Sequence, residues 1–107
     1  MADDSLADEL LGTWIVDLRP TPDSDPYLQE FTIHAIEGDR FSGTFYSTQF
    51  EDGVLNRNWG VVYLAFTTAD GRTSYHHSGK LEAGNLTGST HAPGRQMLSV
   101  WSATRAE

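Results

Sequence analysis

Short runs of β-forming residues, broken at regular intervals by turn-forming residues, constrain this chain more than any other feature of its sequence. β-branched and aromatic residues fill the runs, and Gly, Pro, Asp and Asn separate them, which is the pattern of successive β-strands. Seven runs are strong, at residues 14–19, 28–36, 41–48, 59–68, 73–81, 86–91 and 96–105. An eighth, weaker run lies within residues 51–57.

The connections between the runs are too short for crossover helices. PTPDSDP forms a proline-rich loop after the first run, and EGDR, ADGR, EAGN and APGR are tight turns. Strands joined in this way form an antiparallel meander, and eight of them close into a barrel without exposed edges. A seven-stranded sandwich is the alternative, but its Greek key needs a long return connection. We therefore predict an all-β, eight-stranded, antiparallel up-and-down barrel.

The N-terminus is the one segment with a helical signal. Ser5 is a candidate N-cap for a helical turn within residues 1–11, and this turn would plug one end of the barrel. A chain of 107 residues has the length of one domain, so we assign residues 1–107 to a single barrel domain.

Charge and composition exclude several classes of function. The formal charge of −8 would repel nucleic acid and anionic membranes, so neither is an expected partner. The absence of cysteine excludes disulfides, thiolate zinc sites and cysteine nucleophiles. MADDSLADEL lacks the basic and apolar regions of a secretory signal, which favours a cytoplasmic protein unless a leader has been removed. We find no motif for a cofactor, a metal ion or a catalytic centre.

The motifs GTW, at the start of the first run, and VWSATR, at the end of the last, resemble the signature of calycins, the group that includes lipocalins and avidins. The order of GTWIVDL, FSGTFYS, GVVYLAFTTADGRTSYHHSGKL and WSATR is closest to the avidin branch. The resemblance implies that Trp14 closes one end of the barrel after Gly12. It also implies that Arg105 packs across the Trp14 ring in a cation–π contact.

The resemblance does not extend to biotin binding. Val16 stands where avidins carry an asparagine that binds the ureido group, and Phe45 replaces a tyrosine and lacks its hydroxyl. Ser47 and Trp101 match a small hydroxyl and a tryptophan of the avidin pocket. A site built from hydrogen bonds loses most of its discrimination when its buried donors are missing.

The hairpin SYHHSGKLEAGNLTGSTHA allows a register to be predicted. A two-residue turn at Ala83 and Gly84 pairs the strands so that His77 faces Thr90 and His76 faces His91. Lys80 belongs in water, so alternation sends its neighbour Leu81 and, further along, His77 and Tyr75 into the barrel. His76 and His91 would then lie on the outer wall, as surface residues or as two ligands of an incomplete zinc site.

Two functional hypotheses follow from such a barrel. The first is a binding protein for a small, mostly apolar molecule. The second is a non-catalytic structural or interaction protein whose lumen is filled by side chains. If Gly43, Gly79 and Gly88 face inward, they either make space for a ligand or let bulky Phe and Trp side chains cross the lumen.

A third hypothesis is an isomerase or hydrolase that uses His77 with Tyr75 or Ser47. An acid–base pair of His77 with Asp17 is disfavoured, because strand alternation places Asp17 on the face opposite Trp14 and so outside the barrel. The lumen candidates are Val16, Phe31, Ile33, Phe45, Ser47, Tyr75, His77, Leu81 and Trp101.

WGVVYLAF and MLSVW are apolar at consecutive positions, so both faces of these strands carry apolar residues. One face would line the lumen, and a partner would cover the other more readily than water would. We therefore expect a homo-oligomer, specifically a two-fold dimer through the outer faces of the later strands.

Overall fold

The computed structural model describes residues 9–106, which form a closed barrel of eight antiparallel strands in chain order. Each strand pairs with the next, and the last pairs with the first. This confirms the all-β, up-and-down barrel predicted from the spacing of the turns. The strands are β1 (Gly12–Asp17), β2 (Leu28–Glu37), β3 (Arg40–Phe45), β4 (Thr48–Asn56), β5 (Val62–Ala69), β6 (Ser74–Glu82), β7 (Asn85–Ala92) and β8 (Met97–Arg105).

Most strand boundaries differ from the prediction by one to three residues, and two of these differences have the same cause. The third run was expected to continue to residue 48, but β3 ends at Phe45 because Tyr46 and Ser47 form a turn with φ angles of 51° and 70°. The fifth run was expected to begin at residue 59, but Trp59 lies in a loop and is 75% exposed. Both errors come from aromatic residues, which are common in strands but here occupy connections.

The N-terminal turn is described only at its end. Glu9 and Leu10 are helical, and the rest of the predicted turn, including Ser5, lies outside the described residues. Leu10 is fully buried. No helix within residues 9–106 has the length and apolar character needed to span a membrane.

The register predicted for the hairpin of β6 and β7 is confirmed at every pair. Glu82 pairs with Asn85, and the ladder continues through the Gly79 and Gly88 pair to His76 and His91. Ala83 and Gly84 form the turn with φ angles of 57° and 83°, as a type I′ turn requires. His77 and Leu81 are buried, whereas His76 and His91 are exposed.

Trp14 and Arg105 close the end of the barrel at which β1 begins. The guanidinium carbon of Arg105 lies 4.8 Å from the centroid of the Trp14 ring, so the predicted cation–π contact is present. Arg105 also donates to the carbonyl oxygens of Leu11 and Glu9, and Trp14 Nε1 donates to the carbonyl oxygen of Leu10. These bonds fix the chain leading into β1 across this end of the lumen.

Side chains fill the middle of the barrel. A Cβ atom added at Gly88 would lie 2.6 Å from the Trp101 ring, and one at Gly79 would lie 3.0 Å from it. A Cβ atom at Gly43 would similarly lie 3.1 Å from the Phe50 ring, and still closer to backbone. The inward glycines therefore accommodate aromatic rings rather than a ligand at this level. The core around them consists of Trp14, Phe31, Ile33, Phe41, Phe45, Phe50, Phe66, Leu81, Leu86 and Trp101, with smaller residues between them.

Candidate functional site

The barrel is open at the end opposite Trp14, where β1 ends and β8 begins. A cavity of about 430 Å³ lies here, below the loop between β1 and β2 and the turns between β3 and β4, β5 and β6, and β7 and β8. Its volume falls within the usual range for small-molecule sites. We call it the open-end cavity, and its walls are formed by Leu18, Tyr27, Phe45, Tyr46, Thr48, Thr68, Ala69, Asp70, Tyr75, His77, Thr90, Arg95, Met97 and Ser99.

A neutral histidine lies between the packed core and the cavity. His77 Nε2 shares a hydrogen bond of 2.9 Å with the hydroxyl of Thr68, and Nδ1 shares one of 2.7 Å with the hydroxyl of Thr90. Trp101 Nε1 also donates to the Thr90 hydroxyl. Burial, with a smaller contribution from neighbouring His76, lowers the pKa of His77 to about 4.

The rings around His77 explain why its position is fixed. The imidazole centroid lies 4.4 Å from the Phe45 ring and 4.6 Å from the Phe66 ring. Both imidazole nitrogens are bonded to threonine hydroxyls. These bonds fix the orientation of the ring at the bottom of the cavity and leave no nitrogen available for acid–base chemistry. Its hydrogen bonds are those of a structural buried histidine, whose polar atoms are satisfied within the protein.

Two tyrosines form one side of the rim. Tyr27 and Tyr46 contact each other edge to face, with ring centroids 5.8 Å apart. The carboxylate of Asp17 accepts from the Tyr27 amide and from the side chain of Arg19, which ties the loop to the end of β1. The side-chain hydrogen bond from Arg19 is the main cause that lowers the pKa of Asp17 to about 2.

The opposite side of the rim carries a chain of polar groups. Tyr75 donates its hydroxyl proton to Asp70 Oδ2 at 3.0 Å, and Arg95 Nη1 donates to the Tyr75 hydroxyl at 3.0 Å. The rim therefore combines aromatic faces with one anionic and one cationic side chain.

The predicted lumen residues fall into three groups. Phe45, Tyr75 and His77 line the open-end cavity. Ser47 was expected in the lumen but is exposed in the turn after β3, because that turn comes earlier than predicted. The remaining predicted residues are buried in the packed part of the barrel: Val16, Phe31, Ile33, Leu81 and Trp101.

Sequence reasoning missed most of the rim. Tyr27, Tyr46, Asp70 and Arg95 lie in or beside connections, and alternation gives no information about residues outside strands. The meander itself was a usable signal, since in an up-and-down barrel alternate connections meet at the same end. That rule brings together PTPDSDPY, the turn at Tyr46, ADGR and APGR.

A second concave surface lies on the outer wall, and we call it the outer groove. One row of register partners crosses five strands, from Val54 through Ala65, Ser78 and Ser89 to Val100. Bulky residues at both ends and small ones between them make the row concave. Leu98 and Val100, on β8, are 71% and 72% exposed.

Neither a cluster of metal ligands nor an Asp17–His77 pair is formed by the described residues. Within residues 9–106, no three His, Asp or Glu side chains come close enough together to hold a metal ion. Asp17 bonds to Arg19 and Tyr27, whereas His77 bonds to two threonines, so these two side chains do not form an acid–base pair.

Comparisons of the chain with protein-family models, with curated proteins and with solved structures give no match.

Proposed function

We propose that this protein is a non-enzymatic binding protein for a small, mostly apolar molecule, which it holds in the open-end cavity. The observation that carries the proposal is the contrast in filling along one lumen. Aromatic side chains fill the middle of the barrel, whereas a cavity of about 430 Å³ stays open above Phe45 and His77. Pockets with apolar and aromatic walls and a few convergent polar groups are typical ligand sites.

The backbone at the rim supports the proposal. Tyr46 has a φ angle of 51°, in a region that costs a bulky L-residue free energy. Strain of this kind persists where a side chain is needed in a defined place, and Tyr46 forms part of the cavity wall. A glycine at this position would relieve the strain and remove the aromatic face.

Native mass spectrometry of the protein purified gently from its own host tests this function. We expect a small-molecule adduct on the folded protein that is lost under denaturing conditions. Ser99→Phe, which fills the cavity from β8, and Thr48→Phe, which fills it from β4 beside its inward partner Phe45, should both lose the adduct. Thr104→Phe is the matched control, since Thr104 is exposed outside the cavity, and it should keep the adduct. An adduct unchanged in both cavity variants would place the ligand elsewhere.

A second function, association with another copy of the chain, is favoured by the outer groove. A chain with a formal charge of −8 repels its copies, so two copies approach best through a face without carboxylates. The residues that line the groove include Val54, Tyr63 and Val100 but no carboxylate. Lys80 is their one charged member, and it pairs with Glu82 at 3.2 Å.

The geometry of the groove suits a two-fold dimer. In an isologous contact the same surface meets itself, so the exposed Leu98 and Val100 ridge of each copy would lie in the shallow middle of the other. Light scattering after size exclusion should give a dimer for the wild type and for Thr104→Asp, and a monomer for Val100→Asp. A monomeric wild type at high concentration would exclude this second function and leave the first untouched.

A further inference from the structure

The polar groups on the cavity rim form a chain of hydrogen bonds in which Arg95 donates to the Tyr75 hydroxyl and Tyr75 donates to the Asp70 carboxylate. Asp70 Oδ1 accepts from the amides of Arg72 and Thr73, at 3.2 and 2.9 Å, and Oδ2 accepts from the Tyr75 hydroxyl. These bonds, led by that from the Thr73 amide, lower the pKa of Asp70, which therefore stays ionised. The carboxylate is saturated by its own turn and holds the Tyr75 hydroxyl as an acceptor for Arg95.

Arg95 is a cation on the cavity wall, and Tyr75 engages one of its nitrogens. Nη1 bonds to Tyr75, and no other hydrogen bond of the Arg95 side chain is found within residues 9–106. The hydrogen bond with Tyr75 raises the pKa of Arg95, so the guanidinium remains charged. A guanidinium held by one nitrogen still presents parallel N–H groups, which match the two oxygens of a carboxylate.

The rest of the cavity suits an uncharged body. Its bottom is formed by Phe45 and by His77, which is neutral and bonded to Thr68 and Thr90 through both nitrogens. Leu18 and Met97 add apolar surface, and the Tyr27 and Tyr46 rings, in edge-to-face contact, form one side of the rim. A ligand therefore meets a positive charge at the rim and apolar surface below it.

We propose that the ligand is a monocarboxylate with a compact apolar or aromatic body, and that Arg95 binds its carboxylate at the cavity rim. This inference rests on the proposed binding function and names the ligand class. Tyr75 acts as a positioning residue, since it holds Arg95 without needing to touch the carboxylate. The ligand body would lie with its far end against Phe45 and the imidazole of His77.

Isothermal titration calorimetry with two compounds of the same shape tests the class. The probes are 2-naphthoate, a carboxylate, and 2-naphthamide, its uncharged analogue. We expect the wild type to bind 2-naphthoate about tenfold or more tightly than 2-naphthamide, because hydrogen bonds to charged groups are the stronger kind. The preference should weaken in high salt, because the guanidinium is at an exposed rim.

Arg95→Gln should weaken 2-naphthoate binding about tenfold and leave 2-naphthamide unchanged. Arg72→Gln removes the same charge from the neighbouring turn, outside the cavity wall, and should keep the preference. Arg95→Lys should retain part of it, because it keeps the charge without the paired N–H groups. Thermal unfolding of each variant verifies that the barrel is intact.

Three results would overturn the inference, and they separate it from the proposed function. Equal binding of the two compounds by the wild type would reject the carboxylate class while confirming an apolar site. A loss of preference in Arg72→Gln as large as in Arg95→Gln would show a general charge effect. Binding of neither compound would also reject the class. In that case, the adduct test with Ser99→Phe and Thr48→Phe would still decide the binding function by itself.

Discussion

The packed middle of the barrel and its open end are built on the same strands but are filled differently. In the middle, Gly79 and Gly88 on two neighbouring strands leave room for the Trp101 ring to cross the lumen. At the open end, inward positions carry Thr68, Thr90 and Ser99, which are too short to cross it. In the middle, rings beside glycines thus form a core, whereas at the open end short side chains among longer ones such as Tyr75 and Met97 leave a cavity.

The two regions also contribute differently to the stability of the fold. Burial of large apolar side chains supplies most of the free energy of folding, and the two buried tryptophans lie away from the open end, Trp14 at the closed end and Trp101 in the middle. The open end instead contains hydrogen-bonded polar groups, such as the His77 network, whose contribution depends on protonation. Mutations and pH should therefore affect the two regions in different ways.

The largest effect is expected at Trp101. Trp101→Ala should lower the free energy of unfolding by about 3–5 kcal/mol, because it removes a large buried ring and leaves a cavity beside Gly79 and Gly88. Ser99→Ala, two residues along the same strand at the open-end cavity, should change it by less than about 0.5 kcal/mol. Urea denaturation of both variants measures the difference. Similar losses in the two variants would contradict the division of the lumen.

The next effect is a pH dependence due to His77. Its pKa in the folded protein, about 4, is below the ordinary value of 6.5, so in this interval the unfolded chain binds a proton that the folded chain does not. The contribution of His77 to the free energy of unfolding should be fully present above pH 6.5 and should fall by about 3 kcal/mol as the pH is lowered towards 4. The groups nearest the histidine are the hydroxyls of Thr68 and Thr90, the Trp101 indole and exposed His76.

His77→Gln isolates this contribution, because an amide can bond both hydroxyls but does not titrate. Denaturation of the two proteins at pH 7, 6 and 5 should show a steeper loss for the wild type. Parallel curves would mean that folding does not lower the pKa of His77. That result would contradict the burial and the two hydrogen bonds that keep the imidazole neutral at the bottom of the cavity.

A smaller, local effect is expected at Asp17, which ties the loop carrying Tyr27 to β1. The pKa of Asp17 is lowered to about 2 in the folded state, so its stabilising bonds are present above the ordinary value of 3.8 and are lost as the pH falls towards 2. Asp17→Asn should loosen the loop at neutral pH. Amide hydrogen exchange should become faster at Tyr27 and stay unchanged at His77, and equal changes at both would indicate global destabilisation instead.

The strands, their order and the register of one hairpin were predictable because each depends on local information. Alternation and turn residues place Leu81 inside and Lys80 outside without any knowledge of the rest of the chain. The Trp14 and Arg105 contact was predictable from a resemblance, and the structure contains it.

The cavity was not predictable, because it depends on where distant side chains end. Whether Gly88 leaves space or receives a ring depends on the rotamer of Trp101, on the neighbouring strand. The rim depends on residues in connections, such as Arg95, whose contact with Tyr75 joins positions 20 residues apart. Tyr46 misled the prediction directly, since a tyrosine normally favours continuation of a strand over a turn.

The smallest effect on stability is expected at two hairpin turns that lie at opposite ends of the barrel. Both turns have two residues with positive φ, but the closed-end turn uses Ala83 and Gly84, whereas the open-end turn uses Tyr46 and Ser47. Ser47→Gly should raise the free energy of unfolding by about 0.5–1 kcal/mol, since glycine adopts this conformation without steric cost, although it gains more freedom in the unfolded chain. Gly84→Ser should lower it by a similar amount. Thermal unfolding at neutral pH measures both changes.

Ligand binding by Ser47→Gly should be unchanged, because Ser47 points away from the cavity and Tyr46 is retained. A loss of binding would instead show that the strained conformation at Ser47 helps to hold Tyr46 in place. The turn would then lower the stability of the fold while it positions an aromatic ring of the rim.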